Sequence, residues 1–160
     1  MHACISCEGF PLTIQLSYGT DHDRKHFIEV IEDIKIKTNR RSRTRPLEVL
    51  ADAAYDDVDI RKHLRSRGIQ SNIPINPRNT KTRKRGRPTR FNPVTYVKRG
   101  TIERFFAWLN MGFRKLATRY ERLNIVFKGF LDIACFMLCW KRGFREVMKL
   151  AHYLIYSVVV

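Results

Sequence analysis

Apolar and polar side chains alternate on both sides of Gly9-Phe10-Pro11, in residues 2–6 and again in 12–18, with the two-residue period that turns one face of a strand toward a core. The glycine and proline between them mark a turn, so the chain reads as opening on a hairpin. The period then lengthens. Phe27, Val30, Ile31 and Ile34 fall at helical spacing, with Asp23 placed to cap the helix and a basic cluster over residues 35–45 to end it. Residues 47–51 read as a short strand that ends at Asp52. A second helix, capped by Asp56 or Asp57, turns Ile60 and Leu64 inward and stops at Gly68. Residues 69–73 form another strand, closed by Pro74 and Pro77.

From residue 78 to residue 90 every periodicity stops. Beyond it, residues 96–123 read as one long helix. At ~100° per residue, Ile102, Phe106, Phe113, Ala117 and Tyr120 share a core-facing side, with Leu109 and Leu116 at its margin. Tyr96, Arg99, Asn110 and Arg114 lie within about 40° of Glu103 on the same helical projection, a polar row beside the buried face. A last helix over 124–142 carries Ile125, Phe130, Ile133, Phe136, Met137 and Trp140, is apolar nearly all round, and calls for cover. Residues 151–160 are uncharged and β-prone, which makes them an aggregation hazard if they are left unpaired.

Composition adds size and partner. A chain of 160 residues, 44% of them hydrophobic, suits one domain with a core, and disorder throughout is excluded. With 31 Lys and Arg against 15 Asp and Glu, the net charge is +16, which points to a polyanion. Much of that charge sits in the aperiodic loop, where Arg78, Lys81, Arg83, Lys84, Arg85, Arg87 and Arg90 occur with no acid among residues 78–90. Such a segment cannot bury itself, and phosphate attraction is its natural use. Lys84-Arg85-Gly86-Arg87-Pro88 also resembles the core of an AT-hook, in which Arg-Gly-Arg lies in a narrow minor groove.

Cysteine usage does not favour a metal centre. Cys4 and Cys7 have no clustered histidines near them, and Cys135 and Cys139 are spaced as one face of a helix, so reduced core thiols are expected rather than zinc. No cationic stretch precedes an apolar one after Met1, and the longest apolar run is broken by Lys128 and Asp132. Neither a signal peptide nor a membrane span is expected, and the cytoplasm, in association with the nucleoid, is the expected place.

Taken in order, the elements resemble the catalytic domain of insertion-sequence DDE transposases, over residues 2–142. Three segments carry the resemblance: Gly9-x-Pro11-Leu12 followed by Gly19-x-x-x-Asp23; Ala51-Asp52-x-x-Tyr55-Asp56 followed by Arg67-Gly68-Ile69 and Ile73-Pro74; and Tyr96-x-x-Arg99-x-x-x-Glu103-Arg104-Phe105-Phe106 followed by Arg114-Lys115-Leu116-Ala117-Thr118-Arg119-Tyr120. The resemblance implies an α/β fold, a ribonuclease-H-like mixed sheet flanked by helices, with a basic loop at 76–95 inserted before the Glu-bearing helix and an apolar tail at 143–160. It implies DNA transposition by metal-dependent strand cleavage and strand transfer. Asp52 and Glu103 would be catalytic residues and ligands of Mg2+ or Mn2+; Tyr96, Arg99, Asn110 and Arg114, with Arg83, Lys84, Arg85 and Arg87 of the loop, would contact DNA. Hard cations take carboxylate oxygens, which is why these residue types are needed. The implied partners are double-stranded DNA, as transposon ends and target, and further copies of the chain assembled on it, with no membrane.

Two departures stand out. Where the family's row has Lys seven residues after the Glu, this chain has Asn110. The family's first catalytic Asp lies on a central strand upstream of the hairpin, and no residue here matches it; Glu8, Asp21 and Asp23 fall in turns and loops. The sheet is therefore expected to be incomplete at the N-terminus, a truncated copy with two inner strand edges lacking a partner. Two other readings stay open: a catalytically inactive basic DNA-binding remnant, and a basic interaction protein of unrelated fold.

Overall fold

Among the described residues, five strands form one sheet: β1 (His2–Ser6), β2 (Pro11–Gln15), β3 (Glu48–Leu50), β4 (Gln70–Asn72) and β5 (Val158–Val159). The structure, a computed structural model, describes residues 1–17, 21–35, 45–79, 89–119, 121–142 and 158–159. The strand order is β2-β1-β5-β3-β4. β1 and β2 make the expected antiparallel hairpin, and Gly9 supplies the positive φ of 84° in its turn. β3 and β4 are parallel, joined by the right length of chain for a helical crossover.

Helices cover both faces. α1 (Asp23–Glu32) and α2 (Val58–Ser66) lie on one side; α4 (Gly100–Gly112), α5 (Arg114–Ala117) and α6 (Asn124–Arg142) lie on the other, and the short α3 (Pro93–Tyr96) leads into α4 through a 3-10 turn at Val97–Arg99. Strand alternation divides the core between them. Ala3, Ile5 and Leu50 join Ile102, Phe105, Leu109, Leu116, Phe127 and Leu131, whereas Cys4, Val49 and Ala51 join Phe27, Val30, Ile31, Ile60, Leu64 and Ile73. Burial holds the Cys4 thiol well above its usual range and pushes Cys135 up to about 12, so both are protonated core groups.

α1 and α2 form where the periodicity places them, with changes at the caps. His22, not Asp23, is the N-cap residue of α1, and it makes no side-chain cap bond; Asp23 stands in the first turn, where a carboxylate meets the positive end of the helix. Asp57 caps α2 by accepting from the Asp59 N–H at 2.8 Å. Gly68 follows α2 with φ 67°, the left-handed conformation of a C′ glycine. Glu32 at the end of α1 takes both Arg67 and His63 of the α2 segment, and the Arg67 hydrogen bond draws its carboxyl below the usual range.

Three expectations are corrected. The helix over 96–123 is not continuous: Phe113 has φ −134° and ψ 96°, which ends α4 and separates it from α5. The buried side of α4 is Ile102, Phe105 and Leu109, so Phe105 rather than Phe106 faces the core and Leu109 is central instead of marginal. On α6 the buried stripe is Phe127, Leu131, Ala134 and Leu138, while Ile125, Ile133, Phe136 and Trp140 are exposed among the described residues.

A further correction concerns the sheet itself. β1 and β3 do not face an empty gap. β5 lies between them, antiparallel to β1 and parallel to β3, with Val158 level with Ser6 and Val49, and Val159 level with Ile5 and Leu50. Backbone pairing needs no particular side chain, and Val158–Val159 pair with the inner edges of β1 and β3.

Candidate functional site

Just past the end of β3, Ala51 is buried in the core, and the next residue turns out toward solvent. Asp52 is exposed there, in extended backbone (φ −70°, ψ 161°), and its carboxylate accepts from the Ala53 N–H at the start of a 3-10 turn, Ala53–Tyr55. In open α/β sheets this carboxyl end of a strand is where functional side chains gather. What holds the turn is a residue that sequence reasoning offered only as a cap. Asp56 is buried and accepts from the Arg61 Nε at 2.8 Å and from the Asn76 N–H at 2.8 Å. Arg61 spends its remaining donors on the Ile73 carbonyl (2.8 Å) and the Ser71 hydroxyl. The ion pair thus binds the Asp52 turn, α2 and the segment after β4 into one unit.

Glu103 comes from the other layer, on α4. Its neighbour Ile102 is buried, and Glu103 itself points out, exposed in the first turn of α4. Arg99, one turn earlier, donates to it at 2.7 Å. The Arg99 guanidinium also lies 6.0 Å from the Tyr96 ring centroid, and Phe91 packs against that ring at 5.1 Å.

Tyr96 lies within electrostatic reach of both carboxylates. Burial raises its phenol above the usual range; Arg99 pulls the other way, and the charges of both Asp52 and Glu103 push upward. Tyr55, raised to about 12, responds to burial first and then to Asp23 and Asp52. Asp52 and Glu103 therefore act on one phenol from two layers of the fold. Asn110 lies two turns beyond Glu103 on α4 and is exposed. Arg114 is exposed too, but it lies past the break at Phe113 and so does not continue the helical row.

A second network, not foreseen from the sequence, fixes where the basic loop enters and leaves. Asn72 at the end of β4 is almost wholly buried; its amide donates to the Asn92 carbonyl (2.9 Å) and the Thr95 hydroxyl (2.8 Å), and its side-chain oxygen accepts from the Asn92 N–H. Thr95 in turn donates to Glu48 of β3 at 3.3 Å. Asn92 caps α3, accepting from the N–H groups of Val94 and Thr95. The segment before the loop is held at Asn76 by Asp56 of the Asp52 turn, and the segment after it at Asn92 by Asn72 at the end of β4. The only signal for this in the sequence was an Asn closing a strand. Arg83, Lys84, Arg85 and Arg87 themselves lie outside the described residues.

Asp52 and Glu103 offer oxygen donors alone, both exposed, which suits a hard dication that keeps several of its waters. Among the described residues no three His, Cys, Asp or Glu side chains stand together as a ligand group. Nor, among them, is any helix long and apolar enough to cross a membrane.

The model of the transposase DDE domain matches residues 1–139. The chain belongs to that family. It is 30% identical over 141 residues to a Burkholderia cepacia protein named "Putative transposase for insertion sequence element IS402", covering 87% of this chain and 61% of that one. It is 29% identical over 143 residues to a Brucella ovis protein named "Putative transposase for insertion sequence element IS6501", covering 89% of this chain and 97% of that one. No solved structure matches this DDE domain. The family assignment and the mixed α/β architecture agree with the sequence reading, and they disfavour a basic protein of unrelated fold.

Proposed function

We propose that this chain binds duplex DNA through its basic loop and the α3–α4 face, and that Asp52 and Glu103 are two ligands of the site for metal-dependent DNA strand cleavage and strand transfer in transposition. The observation that carries this reading is the Tyr96, Arg99 and Glu103 row on the α3–α4 face, where Arg99 donates to Glu103 and lies 6.0 Å from the Tyr96 ring centroid, with the Asp52 charge also felt at that phenol. Helices on both faces of a mixed sheet support a ribonuclease-H-like fold.

In this reading Asp52 and Glu103 hold Mg2+ or Mn2+, which when bound supplies Lewis-acid activation at a phosphodiester. The chain's own groups do the positioning. Arg99 and Arg114 pair with phosphate oxygens, Asn110 contributes a neutral hydrogen bond where the family has Lys, and the Tyr96 phenol stays protonated and able to donate to the strand being cut. Arg83, Lys84, Arg85 and Arg87 draw the backbone in by charge. Assembly of further copies on DNA belongs to the same proposal.

Binding should weaken steeply with salt, because each neutralised phosphate releases counterions. Deleting residues 80–88 should flatten the slope of log affinity against log salt; an unchanged slope would overturn the DNA-binding role of the loop.

A second reading, a DNA-binding remnant without catalysis, is favoured by one observation: the strand between β1 and β3 is Val158–Val159, which carries no carboxylate to stand as the third ligand. A nicking assay separates the two. Mg2+- or Mn2+-dependent cleavage by this chain, lost in Glu103→Ala, excludes the remnant; DNA binding without cleavage supports it.

A further inference from the structure

The two sides of α6 are both apolar, but only one of them is used by the chain's own core. Phe127, Leu131, Ala134 and Leu138 are buried there. On the other side Ile125, Gly129, Ile133 and Phe136 follow one another at spacings of four, four and three residues, the seam of a helix that packs against another. Ile125 is 80% exposed, Ile133 57% and Phe136 63%. With Val126 and Met137 beside them, they leave on the order of 500 Å² of apolar surface uncovered, at the upper end of what a monomer shows.

Gly129 indicates what that seam receives. A glycine inside a helix weakens it relative to alanine, and it has a use where something approaches closely. Among the described residues nothing does: a Cβ placed on Gly129 would meet no side chain and no neighbouring element within 4 Å. The outer seam therefore has a hole. Seven residues on, Phe136 stands out from the same seam as a knob, its ring 6.1 Å from that of Trp140, centroid to centroid.

A hole and a knob on one seam make it complementary to a reversed copy of itself. With a second α6 laid antiparallel about a twofold axis level with Asp132 and Ile133, each Phe136 falls on the other copy's Gly129, and the two Ile133 side chains meet beside the axis. A twofold of this kind also brings like edges together. The edge that carries the Lys128–Asp132 ion pair then meets its own copy, and two lysines and two aspartates form a row with no net charge.

We propose that the outer face of α6 is an interface between two copies of this chain, closed antiparallel with Phe136 seated over Gly129 in both directions. It supplies a surface for the assembly of copies named above, yet it rests on α6 alone and asks nothing of DNA or metal. The apolar area falls short of the ~800 Å² per partner of a standard interface, so the dimer is reversible, with a dissociation constant in the micromolar range.

Analytical ultracentrifugation of the full chain tests this without DNA or divalent metal, in salt sufficient to screen the net charge of +16. The parent should show a concentration-dependent monomer–dimer equilibrium. Gly129→Leu, which fills the hole, and Phe136→Ala, which removes the knob, should each weaken it by roughly tenfold or more. Gly129→Leu should leave the thermal midpoint unchanged or raised, because leucine favours the helix and the added side chain lies outside the core. The exchanged variant, Gly129→Phe with Phe136→Gly, should recover dimerisation, since a reversed copy again sets a phenyl ring on a glycine. Ile133→Cys reads the same register independently, as an interchain disulfide on oxidation that the parent, with its own four cysteines, does not form.

A parent that stays monomeric at every concentration, whether the face is open or covered by another part of the chain, overturns the proposal. A dimer that neither single substitution weakens overturns it as well, and so does a midpoint that falls in Gly129→Leu, which would give the glycine a packing role within the chain. Weakening without recovery in the exchanged variant, or without the Ile133→Cys disulfide, overturns the antiparallel register. Failure of the DNA-binding reading shows separately, as a chain that dimerises in this way and does not bind duplex.

Discussion

Arg99 donates to Glu103 at 2.7 Å from one helical turn earlier, so the carboxylate assigned to a metal is held by a cation in the absence of one. The pair is exposed, and its worth to stability is small. Its consequence is competitive: the guanidinium occupies an oxygen that a dication needs, and phosphate can draw it away. Arg99→Ala should therefore tighten Mn2+ a few-fold while weakening duplex DNA binding several-fold at fixed salt. Titrations of the same variant with each ligand check it; a change of both affinities in one direction would contradict the arrangement.

The Asp56–Arg61 pair is of a different kind, with side chains 6% and 11% exposed. Removing one member leaves the other buried without its partner, which costs about 3–5 kcal/mol. Asp56→Asn should lower stability by that order in chemical denaturation, and it should also loosen amide protection in the Asp52 turn. Loss of the pair with no change in the turn would remove Asp56 from any role in positioning Asp52.

Asn72 joins the sheet to the far end of the basic loop. Asn72→Ala breaks three hydrogen bonds in a buried setting and should destabilise the fold by roughly 2 kcal/mol. Because the loop keeps its charges, the salt slope of DNA binding should stay the same while affinity falls. A changed slope would show that Asn72 governs more than placement.

Tyr55 offers a pH readout of the site. Its folded pKa, about 12, lies above the ordinary 10.0, so the unfolded chain loses this proton first and stability falls as pH rises from 10 toward 12. Asp52 is one of the charges that raises it. Asp52→Asn should move the Tyr55 titration downward, followed by tyrosinate absorbance with Tyr55→Phe to identify the phase. No movement would mean that Asp52 stands farther from Tyr55 than the structure has it.

Most of this architecture was legible in residue spacing. The hairpin around Gly9, both crossover helices, the strand ending at Asp52 and the C′ glycine at 68 follow from local periodicity and local turn chemistry, which one segment of chain can carry by itself. The break at Phe113 was not legible: residues 114–117 keep helical spacing, so the polar row seemed to run on through Arg114. β5 was hidden for another reason. Its partners Ile5 and Leu50 are more than a hundred residues away in sequence, and pairing at that separation leaves no local trace beyond a β-prone composition. In the candidate site, Asp52, Tyr96, Arg99 and Glu103 could be named from their motif, yet the supports that place them, Asp56 with Arg61 and Asn72 with Asn92, are contacts between distant segments of polar residues common in any loop.

The central claim is that Asp52 and Glu103 serve one metal ion together, and a double-mutant cycle of Mn2+ affinity tests it. The affinities of the parent chain, Asp52→Asn, Glu103→Gln and the double variant are compared by electron paramagnetic resonance. Shared coordination predicts that either single substitution removes most of the binding, with the double variant little weaker than either one. Losses that simply add, or singles that bind as the parent does, would contradict it.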